Sequence, residues 1–148
     1  MKKTILCTMA AIAALFFSLT VMAQTRNELP KNAQTLIDKH FKGYTISHIE
    51  KERDILDVEY KVYLSNNKNT YKLEFDKNGQ TKSIESVDNS TSLPLSVIPI
   101  KISQHVKRKY PSARIIEWEK KRKTQEVKLN TGLELVFNLG GKFLRIDD

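Results

Sequence analysis

Four consecutive basic residues, Lys120–Lys123, begin two positions after the chain's single tryptophan, Trp118. Cationic side chains beside a large aromatic ring are a common composition of binding surfaces. A second basic run, at 107–109, ends a predicted helix, where positive charge also stabilises the helix dipole. The first run is therefore interpreted either as a solvated turn or as part of a binding site. The predicted site residues are Trp118, Lys120, Lys121, Arg122 and Lys123.

Two further aromatic residues are predicted to face away from the core. Tyr63 and Phe143 alternate with Leu64 and Leu144, which the strand pattern assigns to the buried face. Outward aromatic side chains on an open sheet suit contact with a protein. We therefore expect Tyr63, Trp118 and Phe143 to be anchors of a binding surface with the basic run at its rim. Burial of these edge residues under a loop or the other repeat is the alternative.

Catalytic chemistry has little support in the sequence. The chain contains no Gly-x-Ser-x-Gly elbow and no phosphate-binding glycine loop. The carboxylate pairs Asp54/Asp57 and Glu117/Glu119 fall on predicted strand or turn surfaces and are interpreted as solvated. Distant Ser, His and Asp residues could still meet in the fold, so an enzyme is an alternative. The prediction is a non-enzyme with no catalytic residues.

Metal and cofactor binding are likewise not predicted. His40 and His105 occupy matching places near the ends of two predicted helices. A symmetric metal or proton site is one interpretation, and a histidine stabilised by the helix dipole is the favoured one. Asp76-Lys77-Asn78-Gly79 has its glycine fourth rather than sixth, which indicates a hairpin turn rather than a calcium loop.

The first 23 residues have the features of a secretory signal peptide. Lys2 and Lys3 precede a stretch that is apolar from Ile5 to Val21, and Ala23 suits a cleavage site. A transmembrane anchor is the alternative. The sequence thus predicts a periplasmic or secreted protein without a stable membrane anchor after cleavage.

Removal of the signal changes the composition of the working chain. It removes the only cysteine, Cys7, and two of the 25 Lys and Arg residues but none of the 17 acidic ones, which leaves a net charge of +6. Disulfides and thiol chemistry are then excluded from the exported chain. For a basic exported protein, the expected partner is an envelope protein or an anionic surface rather than nucleic acid. The chain could be a monomer or a dimer.

One pattern occurs twice behind the signal, and it predicts the domain organisation. Leu29-Pro30 and Leu93-Pro94 each open a predicted helix, over about 31–42 and about 97–109. Four predicted strands with alternating apolar residues follow each helix, the first at about 45–53 and about 114–122. The predicted organisation is a signal peptide at 1–23, a first repeat at 24–87 and a second at 88–148.

The duplicated unit predicts an α+β fold. A unit of about 60 residues is marginally stable alone, so we expect the two tandem helix-plus-four-strand units to share one continuous antiparallel sheet. Alternating strands bury one face of the sheet. The helices are therefore expected on that face, and the other face is expected to be open to water.

The chain resembles the PepSY-like family of exported bacterial proteins, whose fold is similar to that of the β-lactamase inhibitor protein. The resemblance rests on the two Leu-Pro openings, on Tyr110-Pro111-Ser112-Ala113 after the second helix, and on the strand ends at 75–79 and 137–141. It implies tandem α+β units with a concave sheet face and a role in binding proteins. Together with the open sheet face, the predicted function is an exported non-enzymatic binding protein of unknown partner, contacting that partner through this face. An inhibitor or regulator of an envelope peptidase or other hydrolase is the alternative.

Overall fold

The structure is a computed structural model that describes residues 25–147; the predicted signal peptide at 1–23 lies outside these residues. The two α-helices are α1 Lys31–His40 and α2 Ile100–Lys109. The eight strands are β1 Thr45–Arg53, β2 Val58–Ser65, β3 Thr70–Asp76, β4 Thr81–Ser86, β5 Ile115–Lys120, β6 Thr124–Leu129, β7 Glu134–Asn138 and β8 Phe143–Asp147. Within 25–147, no helix is both long and apolar enough to span a membrane.

The second helix begins three residues later than the sequence predicts. Leu95–Val97 forms a separate 3₁₀ turn, and Ile98 is extended, with φ −93° and ψ 134°. Pro99 directly precedes α2, where its missing N–H leaves no helical hydrogen bond unmade. The predicted range of 97–109 is therefore wrong at its start.

All eight strands form one open antiparallel sheet in the order of the sequence, β1 to β8. The two repeats join where β4 pairs with β5, through Ile84 opposite Trp118 and Glu85 opposite Glu117. The prediction of one continuous sheet is confirmed. The division predicted at 87/88 falls in the connection that follows β4 and stays a prediction of where the copies separate.

The core lies between one face of the sheet and the two helices. Ala33 and Ile37 of α1 and Ile102 and Val106 of α2 are buried in one cluster with the inward side chains of the strands. Because one cluster includes both helices and strands of both repeats, the two units are expected to unfold together.

Both repeats have a β-bulge at the same place in their first strand. The pairing register shifts between Ile46 and His48 in β1 and between Ile115 and Glu117 in β5. A bulge adds one residue to a strand, so positions three apart can face the same side. In β5 this places Ile115 and Trp118 together in the core.

The glycine turns that end the third strand of each repeat also match. Gly79 and Gly141 have φ values of 77° and 81°. At Gly79 a Cβ atom would lie 2.8 Å from the backbone nitrogen of Ala33, and at Gly141 it would lie 2.9 Å from Cβ of Lys101. Each turn thus needs glycine both for its backbone conformation and for its close approach to a helix.

Candidate functional site

Two rows of side chains cross all eight strands on the sheet face opposite the helices. Each row is defined by cross-strand partners, one per strand. The first row is His48, Tyr63, Lys72, Glu85, Glu117, Lys128, Glu134 and Asp147. The second row is Glu50, Lys61, Glu74, Ser83, Glu119, Glu126, Val136 and Arg145.

Carboxylates outnumber cations in these rows. The two rows together contain eight Asp and Glu side chains but four Lys and Arg side chains. The full chain, by contrast, carries a net charge of +8. The positive charge is therefore concentrated away from the open face, and the open face itself is acidic.

Lysines bridge several carboxylates on the open face. Lys72 Nζ lies 3.2 Å from a carboxylate oxygen of Glu74 and 3.2 Å from one of Glu85. Lys61 Nζ donates to Glu52 at 2.7 Å. Cross-strand pairs of opposite charge each contribute roughly 0.2–1 kcal/mol. The pairs that join neighbouring strands, Lys72 with Glu85 and Lys61 with Glu52, stabilise the first repeat's half of the face in this way.

At the junction of the two repeats, Glu117 lacks such an ion pair. Glu85 and Glu117 face each other directly across β4 and β5. Burial raises the pKa of Glu117, and the charge of Glu85 raises it further, while the charge of Lys128 partly opposes this shift. The neighbouring carboxylates have partners: Lys72 pairs with Glu85, and Lys128 lies 3.7 Å from Glu134. Within 25–147, no Lys or Arg nitrogen lies within 4.0 Å of the Glu117 carboxylate. Glu117 is therefore a half-buried carboxylate rather than the solvated one that the sequence predicts.

Tyr63 lies on the open face, as predicted. It is the cross-strand neighbour of His48, and the two rings are 5.8 Å apart between centroids. Its half-buried side chain belongs to the first row, three strands from Glu117. A role for Tyr63 in binding stays a prediction.

Trp118 does not lie on the open face, and its prediction as an anchor there is wrong. Its side chain is 6% exposed and belongs to the core cluster. Nε1 donates a hydrogen bond to Oε1 of Gln125 at 3.1 Å. The bulge between Ile115 and Glu117 determines which side of β5 faces the core.

Phe143 also faces the helices, so its predicted outward orientation is wrong. Its ring stacks on that of His105 of α2, with centroids 4.7 Å apart and planes 16° from parallel. A register shift between Val136 and Phe137 pairs Phe143 with Phe137 and leaves Leu144 46% exposed. Simple alternation failed because this bulge inverts the expected faces of the two residues.

The basic run forms the turn between β5 and β6, but its side chains point in different directions. Lys121 N donates to the carbonyl oxygen of Thr124 at 2.9 Å, which closes the turn between β5 and β6. Lys121 Nζ pairs with Glu126 and lies 3.7 Å from Glu119 on the open face. Lys120 instead lines a groove beside Trp118 on the helix side. The run is therefore not one continuous basic rim.

Comparison with family models decides the family. A model described as beta-lactamase-inhibitor-like, PepSY-like matches residues 20–79 and 58–145. The chain belongs to the PepSY-like family. Comparison with curated proteins found no match.

Solved structures of similar proteins share this fold. A candidate calcium-regulated periplasmic protein of Bacteroides thetaiotaomicron is 32% identical, with a TM-score of 0.76, over 84% of this chain and 94% of that one. A candidate periplasmic protein of unknown function from Bacteroides vulgatus is 34% identical, with a TM-score of 0.74, over 84% and 97%. These relatives agree with the predicted localisation of the PepSY-like chain, which is periplasmic or secreted.

The acidic rows of the PepSY-like sheet were missed by sequence reasoning. The alternation of Glu50 with Glu52 and of Glu117 with Glu119 contained a signal, because residues two apart on a strand share a face. The cross-strand partners that turn these pairs into rows depend on register, which sequence alone does not show. In the described part of the chain, no three His, Cys, Asp or Glu side chains form a group able to hold a metal ion.

Proposed function

We propose that this PepSY-like chain is a non-catalytic periplasmic binding protein that holds a cationic segment of an envelope protein on its open sheet face. The observation that carries the proposal is the pair Glu85 and Glu117, two facing carboxylates at the junction of the repeats. Like charges directly opposite each other on a sheet are destabilising. A partner's ammonium or guanidinium group placed between them would turn repulsion into attraction.

The residues around Glu85 and Glu117 also favour a cationic partner. Glu117, Glu119, Glu126 and Glu134 line a cleft of about 130 Å³ on the open face, together with Lys121 and Lys128. Small-molecule sites usually have volumes of about 300–1,000 Å³. A cleft this small and acidic suits single Lys or Arg side chains of an extended partner better than a substrate, and it favours binding over catalysis.

The charge distribution also favours a cationic partner for the open face over the anionic surface that the composition predicts. An anionic partner would meet the carboxylate rows on the open face. Its favourable contacts would instead lie on the helix side, where Lys107, Arg108 and Lys109 are exposed at the end of α2. Binding of an anionic partner and binding of a cationic one therefore depend on different residues.

Capture from an envelope extract tests the proposal. The protein with Glu85→Gln and Glu117→Gln should lose a partner that the unaltered protein retains, because both facing charges are removed. The matched control, Lys107→Gln with Lys109→Gln, alters two charges on the helix side and should retain that partner. Retention by the first variant together with loss by the second would contradict the proposal and favour an anionic partner.

Inhibition of an envelope hydrolase is the second candidate, and the family description beta-lactamase-inhibitor-like favours it. Under this candidate the cationic segment would belong to a peptidase or a β-lactamase. Dose-dependent inhibition in a panel of purified envelope hydrolases would support it. Inhibition that is unchanged in the Glu85→Gln, Glu117→Gln protein would mean that the hydrolase does not bind to these carboxylates of the open face.

A further inference from the structure

The turn between β1 and β2, the tip Asp54–Asp57, presents two apolar side chains to solvent. Ile55 is 95% exposed and Leu56 is 89% exposed. The backbone nitrogen of Asp54 donates to the carbonyl oxygen of Asp57 at 3.0 Å, and each aspartate also accepts a hydrogen bond from the next backbone N–H. The turn thus holds an Ile-Leu pair between two carboxylates. Adjacent exposed apolar residues of this size indicate a contact site.

A groove with complementary features lies on the helix side of the same molecule. Trp118 lines this groove of about 530 Å³, which we term the Trp118 groove, and Ile100 and Leu139 form apolar walls. Ile100 is 68% exposed and Leu139 is 50% exposed. Lys101 and Lys120, both exposed, add two cations to its lining.

We propose that the tip of one chain docks in the Trp118 groove of a second copy. Ile55 and Leu56 would then cover Ile100, Leu139 and the exposed edge of Trp118. Asp54 and Asp57 would approach Lys101 and Lys120. The tip has an apolar pair between two acidic side chains, and the groove has apolar walls with two basic side chains. This complementarity favours a second copy of the chain as the occupant.

The topology allows each of two copies to dock its tip in the groove of the other. In an antiparallel sheet, the end of β1, the start of β4 and the end of β5 lie at the same end. The tip follows β1, and the groove is lined by Thr81 of β4 and by Lys120 of β5. Two copies related by a twofold axis near that end can therefore exchange tips, which gives a closed dimer. The carboxylate rows take no part, so this inference stands apart from the proposed function.

The first test is the mass of the exported protein in solution over a series that reaches millimolar concentration. The unaltered protein should show a dimer, and Ile55→Ser with Leu56→Ser should weaken dimerisation about tenfold or more. Because the tip side chains are almost fully exposed, this variant should fold normally. The matched control is Leu95→Ser, which alters a side chain that is 63% exposed outside both the tip and the groove. A monomer throughout, or a dimer that the tip variant leaves unchanged, would overturn the proposal.

Charge exchange and cross-linking locate the contact. Lys101→Glu with Lys120→Glu should weaken the dimer, and adding Asp54→Lys with Asp57→Lys to the same chain should restore it. A zero-length amine–carboxylate cross-linker applied to mixed heavy-isotope and ordinary protein should join the tip of one chain to Lys101 or Lys120 of another. Failure of the restored charges to recover dimerisation, or cross-links found between edge strands instead, would contradict docking in the Trp118 groove.

Discussion

Glu85 and Glu117 are direct cross-strand neighbours on the open face, in the ladder that joins the two repeats. The charge of Glu85 adds to burial in raising the pKa of Glu117. Natural sheets usually place opposite charges in such positions, because like pairs lower stability. The pair thus lowers the stability of the free protein, and a bound cationic group would remove this destabilisation.

Glu117→Gln should stabilise the protein at neutral pH. The folded state holds the pKa of Glu117 above its ordinary value of 4.5, so stability is lost as the pH rises through that value and Glu117 ionises. Removing the charge should raise the free energy of unfolding by roughly 0.2–1 kcal/mol at neutral pH. The gain should disappear in acid, where the carboxyl is protonated in both states. Urea unfolding at both pH values measures the difference.

Glu134→Gln is the matched control for that variant. Glu134 occupies the same row but lies 3.7 Å from Lys128 Nζ, so its charge has a partner. The control should bring no gain at neutral pH. Equal stabilisation by both variants would show that the general excess of carboxylates, rather than the facing pair, lowers stability.

Ile84→Ala should destabilise both repeats together. Ile84 is fully buried in β4, opposite Leu73 of its own repeat and Trp118 of the next. Loss of a large buried aliphatic side chain costs about 2–5 kcal/mol. Trp118 fluorescence reports the second repeat, and far-ultraviolet circular dichroism reports both. The two signals should shift to one common midpoint in urea; separate midpoints would mean that the repeats unfold independently.

The arrangement of elements was largely predictable from the sequence, because a helical period followed by alternation in two matched copies leaves few other folds. The orientation of Trp118 and Phe143 was not, because each lies beside a bulge: Trp118 follows one in β5, and Phe143 precedes one in β8. The spacing of three between Ile115 and Trp118, matched by Ile46 and Ile49 in the other repeat, contained a usable sign. Two apolar residues an odd number apart can both be buried only if the strand carries an extra residue between them.

Gly79→Ala should cost more stability than Gly132→Ala. Both glycines have positive φ, 77° and 92°, so both variants bear the left-handed backbone cost of about 1–2 kcal/mol. Only at Gly79 would the new Cβ also meet Ala33 and Pro30, at 2.8 Å and 2.9 Å; at Gly132 nothing lies within 4 Å. Thermal unfolding of the two variants measures the difference. Equal losses would mean that α1 moves away from the turn without cost.

Stability should fall as the pH drops below about 6.5, because two histidines resist protonation in the folded state. Burial lowers the pKa of His40, whose Nδ1 lies 2.9 Å from Oγ of Ser96, and Lys39 lowers it further. Burial and the charges of Arg108 and Lys109 lower the pKa of His105. The unfolded chain therefore binds more protons. The free energy of unfolding measured across this range should depend less on pH in the His40→Gln, His105→Gln protein, and an unchanged slope would refute this cause.

The candidate site was less predictable than the fold, because charge counts do not say on which face each charge lies. The composition is basic, yet the strand register places Lys72 and Lys128 in one row with Glu85, Glu117, Glu134 and Asp147, where carboxylates outnumber cations. Lys120 and Lys121 are adjacent in sequence but lie on opposite sides of the sheet. A run of four cations in the sequence thus does not form one surface.

Titration calorimetry with a lysine-rich peptide shows whether the open face binds cations, since the net charge of the whole chain predicts repulsion and the acidic open face predicts binding. The unaltered protein should bind the peptide, more weakly as salt is added, and the Glu85→Gln, Glu117→Gln protein should bind it much less. Absence of binding, or equal binding by the two proteins, would mean that Glu85 and Glu117 do not form a site for cations.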